Sequence, residues 1–263
     1  MVDTHALFIT AIAIIFASLL FFIIHHQTNK ITIPGLAKQS NKQPTFIITG
    51  LSGSGKTTYF NSLIIENGYK ISTVTSQEPN LKLNFKAPIS GNDSSVPQSN
   101  FKLIEFPGHP KLHNLTLDEI RASSNIAGVI FLIDSSSDSK KLIESTKFLY
   151  EILLRSERRP NGINILVACN KSDLFSSRQA KTIRQTLETE LDNYRKLNVS
   201  NISKANEDSF NTEDDEGKEL GTSLNDTFKF EKLEGNVDFI SGSVLKNKTQ
   251  DWANWIDERV VNP

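Results

Sequence analysis

The sequence predicts an α/β domain of three layers: a mostly parallel, six-stranded sheet with helices on both faces, preceded by one transmembrane helix. Three observations carry this. Segments such as Gly128 to Ile133 and Ile163 to Ala168 are nearly continuous in apolar residues, as strands are when neither face of a sheet meets water. Strand-like and helix-like segments alternate along the chain, the order that builds parallel sheets with covered faces. A glycine-rich loop, Gly50 to Thr57, falls between a strand pattern and a helix pattern.

The chain has 263 residues, 38% hydrophobic and 22% charged, enough for a sizeable core. Lys plus Arg number 29 against 30 Asp plus Glu, a formal net charge of -1. Such a balance lacks the basic excess that a nucleic-acid backbone demands, so no direct nucleic-acid partner is expected. A single cysteine, Cys169, excludes an intramolecular disulfide and a cysteine-rich zinc site.

At the amino-terminal end, residues 6–24 run without a charge. As a helix this stretch spans about 28 Å, close to the roughly 30 Å of a bilayer's hydrocarbon core. It is too long, and lacks the basic leader, for a cleavable signal peptide. Asp3 precedes it and Lys30, Lys38 and Lys42 follow, so the positive-inside rule assigns residues 1–5 to the lumenal side and the body to the cytosol. Residues 25–44 carry Pro34, Gly35 and Pro44 with no regular period and read as a linker.

Residues 45–263 form the globular domain. Thr45 to Thr49 is a β-branched and aromatic strand, and Lys56 to Glu66 follows as a helix with Phe60, Leu63 and Ile64 at helical spacing. Further strands are predicted at Leu81 to Lys86, Phe101 to Glu105, Gly128 to Asp134, Ile163 to Cys169 and Val237 to Ile240. Leu142, Ile143, Leu149, Ile152 and Leu153 mark an amphipathic helix, with the preceding serine cluster as its cap. Between Glu207 and Glu219 seven acidic residues accompany one lysine, which predicts a disordered acidic insertion near 200–230. Thr249 to Val261 closes the chain as a helix with Trp252, Trp255, Ile256 and Val260 on its packing face.

Gly50, Leu51, Ser52, Gly53, Ser54, Gly55, Lys56 and Thr57 fit the pattern GxxxxGK[ST] in the strand-to-helix context its chemistry requires. Successive backbone N–H groups wrap phosphates there, the lysine reaches the β and γ phosphates, and the threonine hydroxyl ligates Mg²⁺. Thr58 continues the cradle. Asn170, Lys171, Ser172 and Asp173 lie at the carboxy-terminal end of a strand, the edge where α/β sheets bind ligands. A carboxylate at Asp173 accepts both the N1–H and the amino group of guanine, which selects GTP over ATP. Ser241, Gly242 and Ser243, directly after the last strand, are expected to let a backbone N–H approach the base oxygen.

On these motifs the chain resembles the small GTPases of the Ras-like and Arf-like kind. Glu105-Phe106-Pro107-Gly108-His109 looks like their second switch, usually Asp-x-x-Gly, which implies that Gly108 donates its N–H to the γ phosphate and that His109 orients the attacking water. His109 also admits a plainer reading, a surface histidine beside Pro110. The Pro-Gly-His form, joined to an amino-terminal span, resembles the β-subunit family of the signal recognition particle receptor. Thr73 to Glu78 resembles that family's first switch, implying contacts to the phosphates from Thr73, Thr75 and Ser76 and magnesium ligation by Thr57 and Thr75. One departure stands out: Glu105 replaces the usual aspartate, and the extra methylene moves the carboxylate by more than about 1 Å beside the magnesium.

The resemblance implies a scaffold at the endoplasmic reticulum membrane, single-pass, with the GTPase domain in the cytosol. It would hold the receptor α subunit and engage the ribosome or translocon indirectly, with GTP and Mg²⁺ as cofactors and hydrolysis slow and secondary. Two alternatives stay open at this point. One is an Arf-like or Ras-like switch of vesicle traffic, against which Met1-Val2 lacks a myristoylation glycine and the final Val261-Asn262-Pro263 is no prenylation box. The other is a P-loop kinase or ATPase, which the guanine tetrapeptide disfavours.

Overall fold

The computed structural model describes residues 43–65, 73, 76–86, 88, 100–205, 220 and 226–261, all within one compact unit, Lys42–Pro263. Among them lie strands β1 (Thr45–Thr49), β2 (Asn80–Phe85), β3 (Phe101–Glu105), β4 (Ile126–Asp134), β5 (Ile165–Asn170) and β6 (Val237–Ser241). The helices are α1 (Lys56–Ile64), α2 (His113–Ala122), α3 (Ser139–Ser156), α4 (Ala180–Ala205) and α5 (Gln250–Val261), with short 3-10 turns at Pro110–Leu112 and Phe230–Lys232.

The strands form one sheet in the order β2-β3-β1-β4-β5-β6. Every pairing is parallel except β2 against β3, which is antiparallel at the edge. β1, β3 and β5 are buried along their whole length, which explains the loss of apolar alternation in their sequences. One face of the sheet packs Leu117 and Ile120 of α2, Phe148 and Ile152 of α3, and Ile183, Leu187 and Leu191 of α4. The opposite face packs Tyr59 and Phe60 of α1 with Trp252, Trp255 and Ile256 of α5. Three layers result, as the sequence predicts.

Some expectations change. The cap of α3 is Asp138, whose carboxylate accepts the Lys141 N–H at 2.9 Å, and not the serines before it, because Asp138 occupies the extended residue that opens the helix. β5 begins at Ile165, two residues later than predicted, since the Ile163 N–H is taken by Ser156 Oγ at 2.7 Å and cannot enter the ladder. Helices α2 and α4, which the sequence pattern left unassigned, fill the cover of one face.

The span 200–230 is in part built into the domain. Helix α4 runs on to Ala205, and Leu220, Phe228 and Phe230 are buried in the core. Arg195, itself buried, ties this return segment down by bonding the carbonyls of Leu220 and Asp226 and the Asp192 carboxylate. Residues 206–219, which hold the acidic stretch, lie outside the described residues, as do 1–42 with the predicted membrane span and most of the linker. Among the described residues no helix is long and apolar enough to cross a membrane.

Lys102 of β3 and Glu119 of α2 form a buried ion pair at 3.0 Å, with Ser123 Oγ also donating to the carboxylate. Removing one partner leaves the other charge uncompensated, so Glu119→Ala is expected to cost about 3 kcal/mol of stability. The paired change Lys102→Met with Glu119→Leu is expected to cost much less. Urea unfolding midpoints check this; equal losses for the two variants would show that the pair is not what holds α2 to β3.

Candidate functional site

The P-loop, the Gly108 loop and the loops at Asn170 and Ser243 lie at the carboxy-terminal edge of the parallel strands, because they follow β1, β3, β5 and β6; Thr73 to Ser76 instead leads into the antiparallel β2. A cavity of about 270 Å³ opens at that edge, bordered by Ser52, Gly53 and Gly55 to Thr58 of the P-loop, by Glu105 and Gly108, by Asn170 and Lys171, and by Ser243 to Leu245.

The P-loop leaves β1 and enters α1 through Gly55, whose φ of 97° places it in the left-handed region. A side chain at Gly55 would meet Asn170 Nδ2 at 2.3 Å, so glycine is required for conformation and for space. Lys56 is 5% exposed and its Nζ donates to the Leu51 carbonyl at 2.8 Å. Burial lowers its pKa to about 8, even though the Glu105 carboxylate opposes the shift. A buried cation so short of counter-charge favours an anion in the cavity before it.

Asn170 joins three loops. Its Nδ2 donates to the Ser54 carbonyl at 2.8 Å, and its Oδ1 accepts the Val244 N–H at 3.1 Å. Lys171 adopts a φ of 63° and pairs with Asp134 at 2.6 Å, which turns the chain sharply after β5. Asp173 accepts from Ser243 Oγ, a bond that holds its carboxyl below the usual carboxylate range. The sequence reading gave Asp134, the last residue of β4, no role in the site.

Of Ser241, Gly242 and Ser243, the stretch expected at the base, Ser243 alone borders the cavity. Ser241 is exposed, and the Gly242 N–H is taken by the Cys169 carbonyl at 2.9 Å, so it extends the ladder and cannot reach a ligand. The positions that border the cavity are Ser243, Val244 and Leu245. The cause is that β6 continues through Ser241, beyond the predicted end at Ile240.

Both switch segments touch the P-loop. The Ser52 N–H donates to the Gly108 carbonyl at 3.0 Å, and a Cβ at Gly108 would lie 2.4 Å from Lys56 Nζ, so only glycine lets the backbone come this close. Thr73 Oγ1 lies 3.3 Å from Thr58 Oγ1, and Ser76 Oγ lies 3.3 Å from Thr57 Oγ1. Thr75, predicted to touch phosphate and magnesium, lies outside the described residues. His109 is exposed and its Nδ1 accepts the Lys111 N–H at 3.2 Å, capping the 3-10 turn at Pro110–Leu112. His113, which sequence reasoning did not single out, stacks on Phe148 with ring centroids 3.7 Å apart, and its Nε2 is buried without a partner. Burial lowers its pKa, opposed by the Gly108 carbonyl and assisted by Lys56 and His109.

The donors suited to a cation are hard oxygens: the hydroxyls of Thr57 and Ser76 and the Glu105 carboxylate, which accepts from Thr57 Oγ1 at 3.0 Å. Glu105 is fully buried, and burial raises its pKa against the Asn80 and Thr57 bonds and the Lys56 charge. Among the described residues no cluster of three His, Cys, Asp or Glu could hold a metal alone. The oxygen chemistry of the Thr57, Ser76 and Glu105 set is compatible with Mg²⁺, which takes few protein ligands and completes its shell with phosphate oxygens and water.

The signal recognition particle receptor beta subunit family matches residues 41–237. The beta subunit of the receptor from Saccharomyces cerevisiae is 36% identical over 226 residues, 85% of this chain and 87% of that one. The mouse beta subunit is 31% identical over 158 residues, 60% of this chain and 54% of its own length. Among solved structures, that of the mammalian SRP receptor superposes with a TM-score of 0.66 at 27% identity, covering 82% of this chain and 99% of that one. With its sheet, its P-loop and its guanine-type tetrapeptide on one edge, and with these similarities, the chain belongs to the signal recognition particle receptor beta subunit family.

Proposed function

We propose that the protein is a membrane-anchored, GTP-binding subunit that holds the receptor α subunit at the endoplasmic reticulum for co-translational targeting. The observation that carries the reading is the cavity bordered by both the P-loop and Asn170–Lys171, whose loops are joined through the Asn170 amide. A solved relative from Chaetomium thermophilum, 27% identical, is a GDP-bound beta subunit, which supports a guanine nucleotide as the occupant. Lys56 and the amides of Gly53 to Thr57 would hold the phosphates, and Asp173 would pair with the base. Mg²⁺, bound by Thr57 with Thr75 or Ser76, would neutralise phosphate charge.

Residues 6–24 supply the anchor in this reading, and the switch segments around Thr73 to Ser76 and Gly108 form the nucleotide-dependent face offered to the α subunit. Partner capture, more than turnover, is the output. His109 is the residue available to orient water, but its ring must first leave the Lys111 N–H that now occupies it.

The fragment from Gln43 onward is expected to bind GTP and capture the α subunit while no longer floating with liposomes. Lys56→Ala in that fragment removes a charge-assisted contact of roughly 1.5 to 3 kcal/mol, a ten- to hundredfold loss of GTP affinity, and α-subunit capture should fall with it. Unchanged affinity and capture would show that the P-loop is not the cradle.

His109→Ala is expected to lower the single-turnover hydrolysis rate while sparing GTP affinity, because the contact forms mainly in the transition state. An unaltered rate would leave His109 as a cap of its own turn.

Asp173→Asn tests the base. Asparagine turns an N–H toward guanine's amino group and opposes two donors, whereas xanthine offers a carbonyl there. An unpaired buried group costs about 1 to 3 kcal/mol, so the ratio of xanthosine to guanosine triphosphate affinity should move at least about tenfold toward xanthosine. Competition binding with the four triphosphates reads it, and an unchanged ranking would remove the guanine assignment.

A further inference from the structure

Glu105 is one methylene longer than the aspartate of the small GTPases it resembles, and its surroundings differ to match. The register of the antiparallel pair sets Asn80 of β2 directly opposite Glu105 of β3, so the two side chains leave the sheet on the same face. Asn80 Nδ2 donates to Glu105 Oε2, while Thr57 Oγ1 donates to Oε1 at 3.0 Å and lies 3.3 Å from Ser76 Oγ. The carboxylate is fully buried, and each of its oxygens has its own donor.

A glutamate has one more torsion than an aspartate and needs one more restraint to present a defined oxygen. The geometry points to Asn80 as a positioning residue for the magnesium site, acting through Glu105: by holding Oε2 it aims Oε1 at the Thr57 hydroxyl and at the cation that hydroxyl would bind. Residues behind a metal's direct ligands tune affinity by orienting what touches the metal or its water, typically by ten- to a hundredfold. Asn80 also lies four positions beyond Ser76, so the bond ties the first switch segment to the same carboxylate. The pairing is built into the strand register, since a one-residue slip of β2 would turn Asn80 to the other face. Being at an edge strand and half-buried, Asn80 can be changed without opening the core.

The inference rests on the GTP and Mg²⁺ reading above, and its test separates the two. Full-length protein in detergent micelles is loaded with fluorescent mant-GDP, and the release rate is followed across buffered free Mg²⁺. Four forms are compared: wild type, Asn80→Ala, Glu105→Asp and the double variant. Asn80→Ala is expected to raise the half-effective Mg²⁺ concentration about tenfold while leaving release in excess EDTA as in the wild type. In the Glu105→Asp background the same change should add less than about twofold, since the shorter carboxylate no longer reaches the amide. Asn80→Ser, too short to reach Oε2, should repeat the alanine result if the alanine protein folds poorly. A wild-type half-effective concentration in Asn80→Ala, an equal shift in both backgrounds, or a change already present in EDTA would each overturn the positioning role. A wild type whose release ignores Mg²⁺ would instead remove the magnesium part of the function, and this role with it.

Discussion

The side-chain amide of Asn170 is the point on which the nucleotide edge depends. It is buried at the end of β5, and it bonds at once to the P-loop carbonyl of Ser54 and the amide of Val244. An amide carries a donor and an acceptor in one rigid plane, so it fixes the spacing of two loops that are 70 or more residues away in sequence. Gly55 completes the constraint, since any side chain there would displace that amide. The P-loop and the loops after β5 and β6 are therefore tied to one another through a single side chain.

Around this clamp the charges are arranged unequally. Lys56 and Glu105 share the cavity wall, yet burial pushes both toward their neutral forms and neither fully repays the other. Phosphate and Mg²⁺ would complete the set. The contrast is the Lys102–Glu119 pair on the far side of β3, which is closed to solvent and satisfied within the chain.

The switch segments are held more lightly than the core beneath them. Thr73 and Ser76 meet α1 through hydroxyl contacts of 3.3 Å, and Gly108 rests on Ser52 through one backbone bond. Such contacts can be exchanged for phosphate contacts at small cost, whereas the apolar faces of α1 and α5 below them cannot. Binding can thus reshape the surface without disturbing the sheet.

The sequence by itself determined the three layers, all six strand positions to within two residues, the P-loop and the Asn170–Asp173 loop. These are local: continuous apolar runs, glycines and short spacings carry their own physical signal. It also marked the buried face of α5, because Trp252, Trp255 and Ile256 repeat at helical spacing. What only the tertiary structure decided are contacts between distant segments. The Val237 strand ends later than its composition suggests, so the cavity is bordered by Ser243 to Leu245 and not by Ser241 and Gly242. Asn80 meets Glu105 only because β2 turns antiparallel at the edge, Asp134 meets Lys171 across two strand ends, and His113 finds Phe148 across two helices. Arg195 captures the return segment at Leu220 and Asp226, which polarity alone would have left in solvent. In each case the partners lie far apart in the chain, and register and packing, not local propensity, bring them together.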